Sequence, residues 1–512
     1  MKYYIRAIRN IYRMKSSIFI TSSRGNTYIY DFLKKEFFPV NPLIVLCYKL
    51  DEKGELAKIK QIKGSVNQKV WFDNNMLDYY VEKYKIMKLN GYFQTISKPH
   101  FEKYTSESIL KSLSNINNLV FEITRNCNLS CVYCINGSLY SSQIPTKEKS
   151  LTFNDLKATI DYLSPLWNSN YNKSPFHAVS IGFYGGEPLL KYSLIKEFVE
   201  YCKSLNLKRS FNFSMTTNAI LLKEYIDFFV ENNFNITISL DGDEIGHSYR
   251  IFRDGKNSFK SVYDTLKYIM GKYPNFWKTN ISFNSVLHNR NSVNSIHEFI
   301  YNEFNKIPAI HSLNNSGVRY EMLSIFNKMY RSYDYSDRSK SSNLMQKRFT
   351  SDSRILNLCK FLLRYSRDQY FDYESLLYSS NVEINSSTGT CFPFSRKIYI
   401  SSDRNILVCE KINHKYSLGR INGNGSFSLD LDYIAKKYNS LYEKMFANCK
   451  SCYMLNGCSQ CIFQLDSLDS DKPICWLHKS ERQMIDYIRY YIDLLEDGNI
   501  EYEKILNNCV LS

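Results

Sequence analysis

Three cysteines lie close together in the chain and could hold metal. Cys127, Cys131 and Cys134 follow the spacing C-x3-C-x2-C, directly after an apolar run that ends at Thr124. Three thiolates on one tight loop can hold three irons of a cubane cluster and leave the fourth iron without a protein ligand. A structural zinc site would usually need four ligands, and no histidine lies nearby. The open iron of such a cluster could bind a substrate or a cofactor.

A second candidate motif is the glycine-rich segment that follows the next predicted strand. Gly185, Gly186 and Glu187 precede Pro188 in the sequence. Two glycines allow the backbone to approach a ligand closely, and a carboxylate can pair with an ammonium group. Taken alone, this segment could also be a plain turn between a strand and a helix.

Both motifs resemble those of the radical SAM superfamily. Tyr133 supplies the aromatic residue that this family carries before its last loop cysteine, and Gly185-Gly186-Glu187 resembles the family's GGE motif. The resemblance implies that the three cysteines bind a 4Fe–4S cluster whose open iron chelates S-adenosylmethionine (SAM), with the GGE motif holding the methionine amino group. One electron would then cleave SAM to a 5′-deoxyadenosyl radical, which abstracts a hydrogen from the substrate.

Further strand ends resemble family positions near the ribose and carboxylate of SAM. The candidate cofactor-binding residues here are Asn218, Ser239, Asp241 and Arg250. Ala219 stands where the family often has glycine. Taken singly, such polar residues could equally end strands and cap helices.

Seven more cysteines lie in the C-terminal part of the chain. They are Cys391, Cys409, Cys449, Cys452, Cys458, Cys461 and Cys475. The pattern resembles the SPASM extension of radical SAM enzymes, which holds two auxiliary 4Fe–4S clusters. The resemblance assigns Cys449, Cys452, Cys458 and Cys475 to one cluster and Cys391, Cys409 and Cys461 to the other. The alternative is a zinc ribbon, but seven cysteines are more than one zinc site needs.

The C-terminal pattern departs from the family at several points. Arg404 stands where a glycine is usual, Asn385 stands where some members carry a further cysteine, and the spacing between Cys458 and Cys461 is one residue short. The three-cysteine set could be completed by a non-cysteine residue, by Cys359 or by the substrate. An iron left open there could bind a substrate thiolate, which would suit thioether formation.

Glu410 directly follows Cys409 and is the candidate catalytic base. In the sulfatase-maturing relatives an aspartate at this position is proposed to act as a base, and a carboxylate near a cluster could take a proton from a substrate thiol or hydroxyl. The alternative is a solvated loop residue.

The elements that would position these residues alternate between strand and helix. The predicted strands are Leu119–Thr124, Val179–Tyr184, Phe211–Thr216, Ile236–Leu240, Ile281–Val286 and Tyr320–Ile325. The predicted helices lie near 153–164, 191–204, 222–232, 258–272 and 292–305. Such alternation predicts an α/β fold with a parallel sheet, here a partial (β/α)6 TIM-like barrel with catalytic groups at the carboxyl ends of the strands.

We expect five segments along the chain. They are a small N-terminal α+β module (1–115), the radical SAM core (116–330), a helical connector (331–384), an iron–sulfur-binding SPASM domain (385–480) and a C-terminal helix (481–512). Peptide maturases of the family often begin with a module that binds the leader of a ribosomally made precursor peptide as an extra β strand. The predicted hairpin of Ser17–Thr21 and Thr27–Tyr30 would suit that task, and a plain structural extension is the alternative.

Net charge and hydropathy limit the kinds of partner that we expect for this protein. The net charge is 66 − 50 = +16, and residues 1–117 contribute 20 − 10 = +10. A basic surface suits an acidic leader, although it could simply be solvated. No run of 18 apolar residues is present, so we expect a cytoplasmic protein without a membrane partner. A flavodoxin or a ferredoxin would supply electrons, and a nucleic-acid partner is not expected.

The function predicted from these observations is that of a radical SAM peptide maturase, which abstracts a hydrogen from a precursor peptide before a thioether or another crosslink forms. The nearest alternative is an anaerobic sulfatase-maturing enzyme that forms formylglycine. From other classes, a multi-cluster electron-transfer protein would not need the GGE turn, and a zinc-containing nucleic-acid binder would show salt-sensitive binding.

Overall fold

A computed structural model of the protein gives the fold. It describes residues 14–61, 65–66, 70–71, 73–96, 103–140, 149–315, 317–332, 353–366, 388–454, 457–465 and 467–498 of the 512. Asn385 lies outside the described residues.

The described strands are numbered in chain order. They are β1 (Ser17–Thr21), β2 (Thr27–Asp31), β3 (Glu36–Pro39), β4 (Ser65–Val66), β5 (Val70–Trp71), β6 (Asn118–Thr124), β7 (Val179–Gly185), β8 (Phe211–Thr217), β9 (Asn235–Ser239), β10 (Ile281–Leu287), β11 (Ala309–Ser312), β12 (Ile398–Ile400), β13 (Asn405–Leu407), β14 (Gly419–Ile421) and β15 (Phe427–Leu429).

The described α-helices follow the same order. They are α1 (Pro42–Glu52), α2 (Asn74–Leu89), α3 (Ser106–Asn115), α4 (Phe153–Trp167), α5 (Tyr192–Ser204), α6 (Leu222–Glu231), α7 (Phe259–Lys272), α8 (Pro274–Asn280), α9 (Val293–Phe304), α10 (Leu323–Met329), α11 (Ser353–Tyr365), α12 (Leu431–Cys449) and α13 (Glu481–Glu496).

The chain divides into two compact units. The larger unit comprises residues 103–348 and 391–439, and the smaller unit takes 1–102, 349–390 and 440–512. The division falls inside α12 and does not follow the five predicted segments one for one, so those segments stay a prediction.

One ten-stranded sheet organises the larger unit. Its order is β11-β10-β9-β8-β7-β6-β12-β13-β14-β15. Strands β6 to β11 run parallel in sequential order, β12 joins β6 in parallel, and β13 to β15 continue antiparallel. Parallel neighbours need crossover connections, which the intervening helices provide. The fold is therefore α/β with a large parallel sheet, as predicted, while the extent of the barrel stays a prediction.

The first five predicted core strands are confirmed within one residue at each end, and the sixth prediction is wrong. Residues 320–322 form a 3-10 helix that continues into α10, and the sixth strand is β11. The prediction failed because Met322, Phe326 and Met329 recur at helical spacing, and two of them, Phe326 and Met329, are buried on one face. This periodicity decided the local structure over the β-type composition.

The smaller unit is built around an antiparallel sheet, β1-β2-β3. The alternation of the hairpin places Ile18 and Ile20 in the same core as Tyr30 and Phe32, as period-two patterning requires. The same core contains the buried faces of α11 and α13. No helix in the described part of the chain is long and apolar enough to cross a membrane.

Candidate functional site

The three-cysteine loop begins where β6 ends. Cys127, Cys131 and Cys134 are free thiols of intermediate burial, and the Cys134 N–H donates to the Cys131 carbonyl over 3.1 Å. Burial raises the pKa of Cys131 to about 12, with Arg250 opposing this rise and the other two thiols adding to it. Binding of iron would remove the protons of these thiols.

Backbone contacts fix the loop against the segment after β9. The Ser130 N–H donates to the Ile251 carbonyl over 2.7 Å, and the Val132 N–H donates to the Tyr249 carbonyl over 3.0 Å. Because these bonds come from the backbone, they constrain the loop whatever its side chains do.

The two glycines after β7 bring their turn into contact with the same loop. A Cβ atom at Gly185, where φ is +143°, would lie 2.2 Å from the Thr124 carbonyl oxygen, and one at Gly186 would lie 2.2 Å from that of Asn126. The N–H groups of Gly186 and Glu187 donate to these two carbonyls, each over 2.8 Å. Glycine is therefore required here for close backbone approach.

Glu187 is a buried carboxylate, 1% exposed. It accepts hydrogen bonds from the Thr217 hydroxyl (2.7 Å) and from the N–H groups of Asn218 (2.8 Å) and Leu189 (3.1 Å). Burial raises the pKa of Glu187 to about 7, which these three donors oppose. No cation pairs with it among the described residues, so its environment suits an incoming ammonium group.

Asn218 lies between this carboxylate and the cysteine loop. Its side-chain amide donates to the Asn128 oxygen over 2.7 Å and lies 3.7 Å from the Cys127 sulfur. The next residue, Ala219, has a φ of +65°, a left-handed conformation that explains why glycine would suit this position. Ser239 ends β9 in a half-buried position.

Asp241 and Arg250 pair with each other. The Arg250 Nε and Nη2 atoms donate to the two Asp241 oxygens over 3.0 and 3.1 Å, and the Tyr133 hydroxyl donates to the same carboxylate. Burial alone would raise the pKa of Asp241, but Arg250 lowers it well below its usual range. The sequence placed all three residues at the cofactor, whereas the structure joins them in one buried network beneath the cysteine loop. Their contact with a cofactor stays a prediction.

This geometry can be compared with known proteins. A family model described as the radical SAM superfamily matches residues 121–300, which contain the cysteine loop and the GGE turn. Residues 121–300 thus form a radical SAM domain. That family implies a 4Fe–4S cluster and SAM, and the three-thiol loop beside an unpaired buried carboxylate fits both groups.

Individual relatives vary in the length they share with this chain. A cysteine-type anaerobic sulfatase-maturating enzyme of Clostridium novyi is 27% identical over 67% of this chain and 86% of its own. The radical SAM cyclopropyl synthase TigE of Paramaledivibacter caminithermalis is 25% identical over 55% and 60%, respectively. An uncharacterised protein of Methanocaldococcus jannaschii is 33% identical over 31% and 51%. The chain thus spans about half to three-fifths of the last two relatives.

Among solved structures, one described as native anSMEcpe with bound AdoMet and Kp18Cys peptide is similar over 77% of this chain and 99% of its own. Its sequence identity is 18% and its TM-score is 0.46.

A polar network that the sequence reasoning missed joins β6 of the radical SAM core to the turn after β12. Glu122 accepts from the N–H and hydroxyl of Ser402 over 2.8 and 2.9 Å, and Arg125 pairs with Asp403 over 2.6 Å. A lone carboxylate in the apolar strand Asn118–Thr124 was a usable signal for Glu122. The partners of Arg125 had none, because they lie far away in the sequence.

Cys391 and Cys409 both belong to the larger unit. Burial raises the pKa of Cys409 to about 11, and its thiol lies 3.5 Å from a Glu410 oxygen. Burial alone would raise the pKa of Glu410, but a backbone hydrogen bond and Lys397, at 3.1 Å, lower it. A carboxylate with a lowered pKa is a weaker base, so Lys397 would have to move away for Glu410 to accept a proton readily.

Four cysteines of the smaller unit line one small cavity. They are Cys449, Cys452, Cys458 and Cys475. Met445, Met454, Ile462 and Leu477 supply apolar walls. Burial raises the pKa of Cys449 to about 12, and the charges of the other three thiols add to this. Cys461 does not line the cavity, and Cys359 is buried in the core of the unit and disulfide-bonded.

Within the described ranges, no three Cys, His, Asp or Glu side chains converge closely enough to hold one metal ion. A cubane places its irons at separate corners, so its thiolate ligands need not converge on one point.

Proposed function

We propose that the protein is a radical SAM peptide maturase that modifies a ribosomally made precursor peptide. The observation that carries the proposal is the buried Glu187 carboxylate, which lacks a cation and is held against the three-cysteine loop by the two glycines. A polypeptide substrate is supported by the relatives named for sulfatase maturation. Hydrogen abstraction would be followed by a thioether or another crosslink.

The cofactor assignment follows from the donor sets. Cys127, Cys131 and Cys134 would hold the SAM-binding cluster, which when bound supplies the electron that cleaves SAM. Glu187 would pair with the methionine amino group. Asn218 and Ser239 would approach the rest of SAM, while Arg250 and Asp241 hold Tyr133 beneath the loop.

The auxiliary cysteines would hold two more 4Fe–4S clusters. Four apolar-walled thiols suit a fully ligated cluster in the smaller unit. Cys391 and Cys409 of the larger unit would belong to the other, with Glu410 as the base once Lys397 releases it. A flavodoxin or a ferredoxin would supply the electrons.

The N-terminal sheet would bind the leader of the precursor. Among the described residues, β3 pairs with β2 on one side only, which leaves an edge for an added strand. Exposed apolar residues on α2 (Tyr79, Ile86 and Leu89) and the basic charge of the region suit a leader that is acidic and amphipathic.

Anaerobic reconstitution with iron and sulfide tests the proposal. We expect about twelve irons per chain, four for each of three clusters. The assay is release of 5′-deoxyadenosine with a candidate precursor peptide, followed by mass spectrometry of the peptide. A colourless protein that carries zinc at the Cys127 loop would refute the proposal.

The second candidate function is sulfatase maturation. The relative from Clostridium novyi supports it, because the two sequences align over 67% of this chain. The same assay separates the two candidates. Conversion of a sulfatase-derived peptide to formylglycine, with no change in a precursor peptide, would select the sulfatase-maturing function.

A further inference from the structure

Three side chains with no assigned role share the same face of neighbouring strands. Glu122 on β6 is the cross-strand partner of Tyr184 on β7, and Tyr399 on β12 pairs with Val120. Because side chains alternate along a strand, Tyr184, Glu122 and Tyr399 lie on one face of the sheet.

The helices cover the opposite face of these strands. Phe121 and Phe183 both pack on Phe198 of α5, at ring distances of 5.5 and 6.2 Å. Phe183 is 1% exposed whereas its neighbour Tyr184 is 39% exposed. Gly182, two residues before Tyr184 on the same face, has no side chain, and a Cβ atom there would lie 3.4 Å from the Ser214 hydroxyl and 3.5 Å from a Val120 methyl group. The face that carries the tyrosines is therefore left open beside Tyr184.

The two tyrosines have hydroxyls available for hydrogen bonding. In the described part of the chain, no protein group hydrogen-bonds to the Tyr184 or the Tyr399 hydroxyl. Neither oxygen is among the atoms buried without a partner, although the Tyr399 residue as a whole is 3% exposed. Glu122 differs, since Ser402 occupies one of its oxygens. A hydroxyl that has no protein partner and is not closed off from solvent is free to donate to a ligand that enters this face.

The location of Tyr184 ties this face to the reaction site. It immediately precedes the glycine turn that contacts the cysteine loop. The ordinary pKa of a tyrosine, about 10, keeps its phenol protonated at neutral pH, so the hydroxyl can donate a hydrogen bond.

We propose that the hydroxyls of Tyr184 and Tyr399 position the peptide substrate by donating hydrogen bonds to neutral acceptors next to the reacting residue. The acceptor class follows from charge, because Glu122 and Glu410 nearby would repel a substrate carboxylate, whereas a backbone carbonyl carries no net charge. This inference rests on the proposed peptide-maturase function and assigns positioning residues to it.

Tyr184→Phe and Tyr399→Phe remove only the hydroxyls. Tyr162→Phe is the matched control, because its ring packs in a tilted arrangement on Phe427 at 4.6 Å in the same unit and its hydroxyl has no partner among the described residues. Binding of a fluorescein-labelled candidate peptide is measured by polarisation without SAM. The peptide KM and the ratio of modified peptide to 5′-deoxyadenosine are then measured on the reconstituted enzymes.

We expect Tyr184→Phe to weaken peptide binding and raise the peptide KM about tenfold, with Tyr399→Phe similar or smaller, and each to lower the product ratio. Tyr162→Phe should match the wild type. If the wild type modifies the peptide, and Tyr184→Phe and Tyr399→Phe both equal the wild type in peptide affinity and product ratio, the positioning role is overturned while the proposed function stands. If the wild type modifies neither peptide class, the proposed function fails and this inference fails with it.

Discussion

The two cysteine sites of this protein differ in the side chains that surround them. Around the three-cysteine loop the larger unit uses backbone hydrogen bonds, close glycine contacts and buried charges, including the Asp241–Arg250 pair and the unpaired Glu187. In the smaller unit, the cavity of four cysteines has apolar walls next to an aromatic core.

Tyr365 shows how packing acts in the smaller unit. It is completely buried, its ring lies 5.3 Å from Phe361 and 5.9 Å from Tyr30, and its hydroxyl lies 3.4 Å from the Met454 sulfur. A Cβ atom at Gly457, next to Cys458, would lie 2.3 Å from this ring. The N-terminal sheet and the cysteine cavity thus belong to one packed core.

A site proposed to bind a polar ligand and a site proposed to hold a cluster with four thiolate ligands need different surroundings. A charged ligand such as an amino acid requires groups with unmet charge, and Glu187 provides one. A cluster with four thiolates has no open coordination position, so apolar packing that excludes water is sufficient. Different perturbations should therefore damage the two sites.

The largest effect should come from the cysteines themselves. Cys127→Ala should reduce SAM cleavage by roughly a thousandfold or more, because the proposed SAM-binding cluster would lose one of its three ligands. Cys475→Ala should spare SAM cleavage more than product formation. Cys202→Ala, a buried cysteine of α5, is the control. Equal loss of 5′-deoxyadenosine in the Cys127 and Cys475 variants would remove the distinction between the sites.

Tyr365→Ala should destabilise the packed core next to the four-cysteine cavity. Truncating a buried aromatic residue costs about 3–5 kcal/mol of unfolding free energy. Hydrogen exchange should accelerate in β1, β2 and the peptide around Cys452, with β6 and β7 unaffected. Tyr490→Ala, at an exposed aromatic residue of α13, should change little. Faster exchange in β6 instead would mean that Tyr365 does not stabilise its own unit.

Asp241→Asn should destabilise the buried charge network next to the three-cysteine loop. It leaves Arg250 buried without its counter-charge, which costs about 3–5 kcal/mol when a buried ion pair loses one partner. Exchange should accelerate in residues 127–134 and leave β1 and β2 unchanged. The exposed Asp254→Asn on the same loop controls for surface charge. A wild-type exchange pattern in the Asp241 variant would show that the pair does not hold the loop.

Glu187 should make the larger unit sensitive to pH. Its pKa is raised from 4.5 to about 7, so the folded carboxyl keeps a proton that the unfolded chain has released. Stability from this group is therefore lost as the pH rises from 4.5 to 7, by about 3 kcal/mol at most. Glu187→Gln should flatten the denaturation midpoint of the apo protein across pH 5–8, and the exposed Glu197→Gln should not. A steep profile in Glu187→Gln would assign the pH dependence to other groups.

The sequence predicted the functional residues better than their partners. The cysteine loop and GGE turn could be placed together because carboxyl ends of adjacent parallel strands share one edge of the sheet. The pairing of Asp241 with Arg250 could not be predicted, since a loop of any shape could separate them. The contact between Glu122 and Ser402 spans 280 residues, and no local pattern encodes it.

The sequence indicates the spacing of motif residues more clearly than it indicates backbone conformation. The sequence marks Ala219 and Arg404 only as departures from glycine, and the structure gives them φ values of +65° and +66°. Arg404 also donates to Asp155 over 2.7 Å, and that carboxylate is 2% exposed. A favourable side-chain contact therefore offsets an unfavourable backbone in a way that residue identity alone does not reveal.

The smallest predicted effect separates the contribution of the Arg404–Asp155 contact from that of the left-handed backbone at residue 404. Arg404→Ala and Arg404→Gly both remove the contact with Asp155, but only glycine relieves the left-handed backbone. The glycine variant should be more stable than the alanine variant by about 1 kcal/mol in denaturant unfolding. At Arg420 of β14, where φ is not positive, the same pair should reverse its order, because glycine weakens a strand. If alanine equals or exceeds glycine at 404, backbone strain is absent there, and the ion pair with Asp155 alone accounts for the arginine.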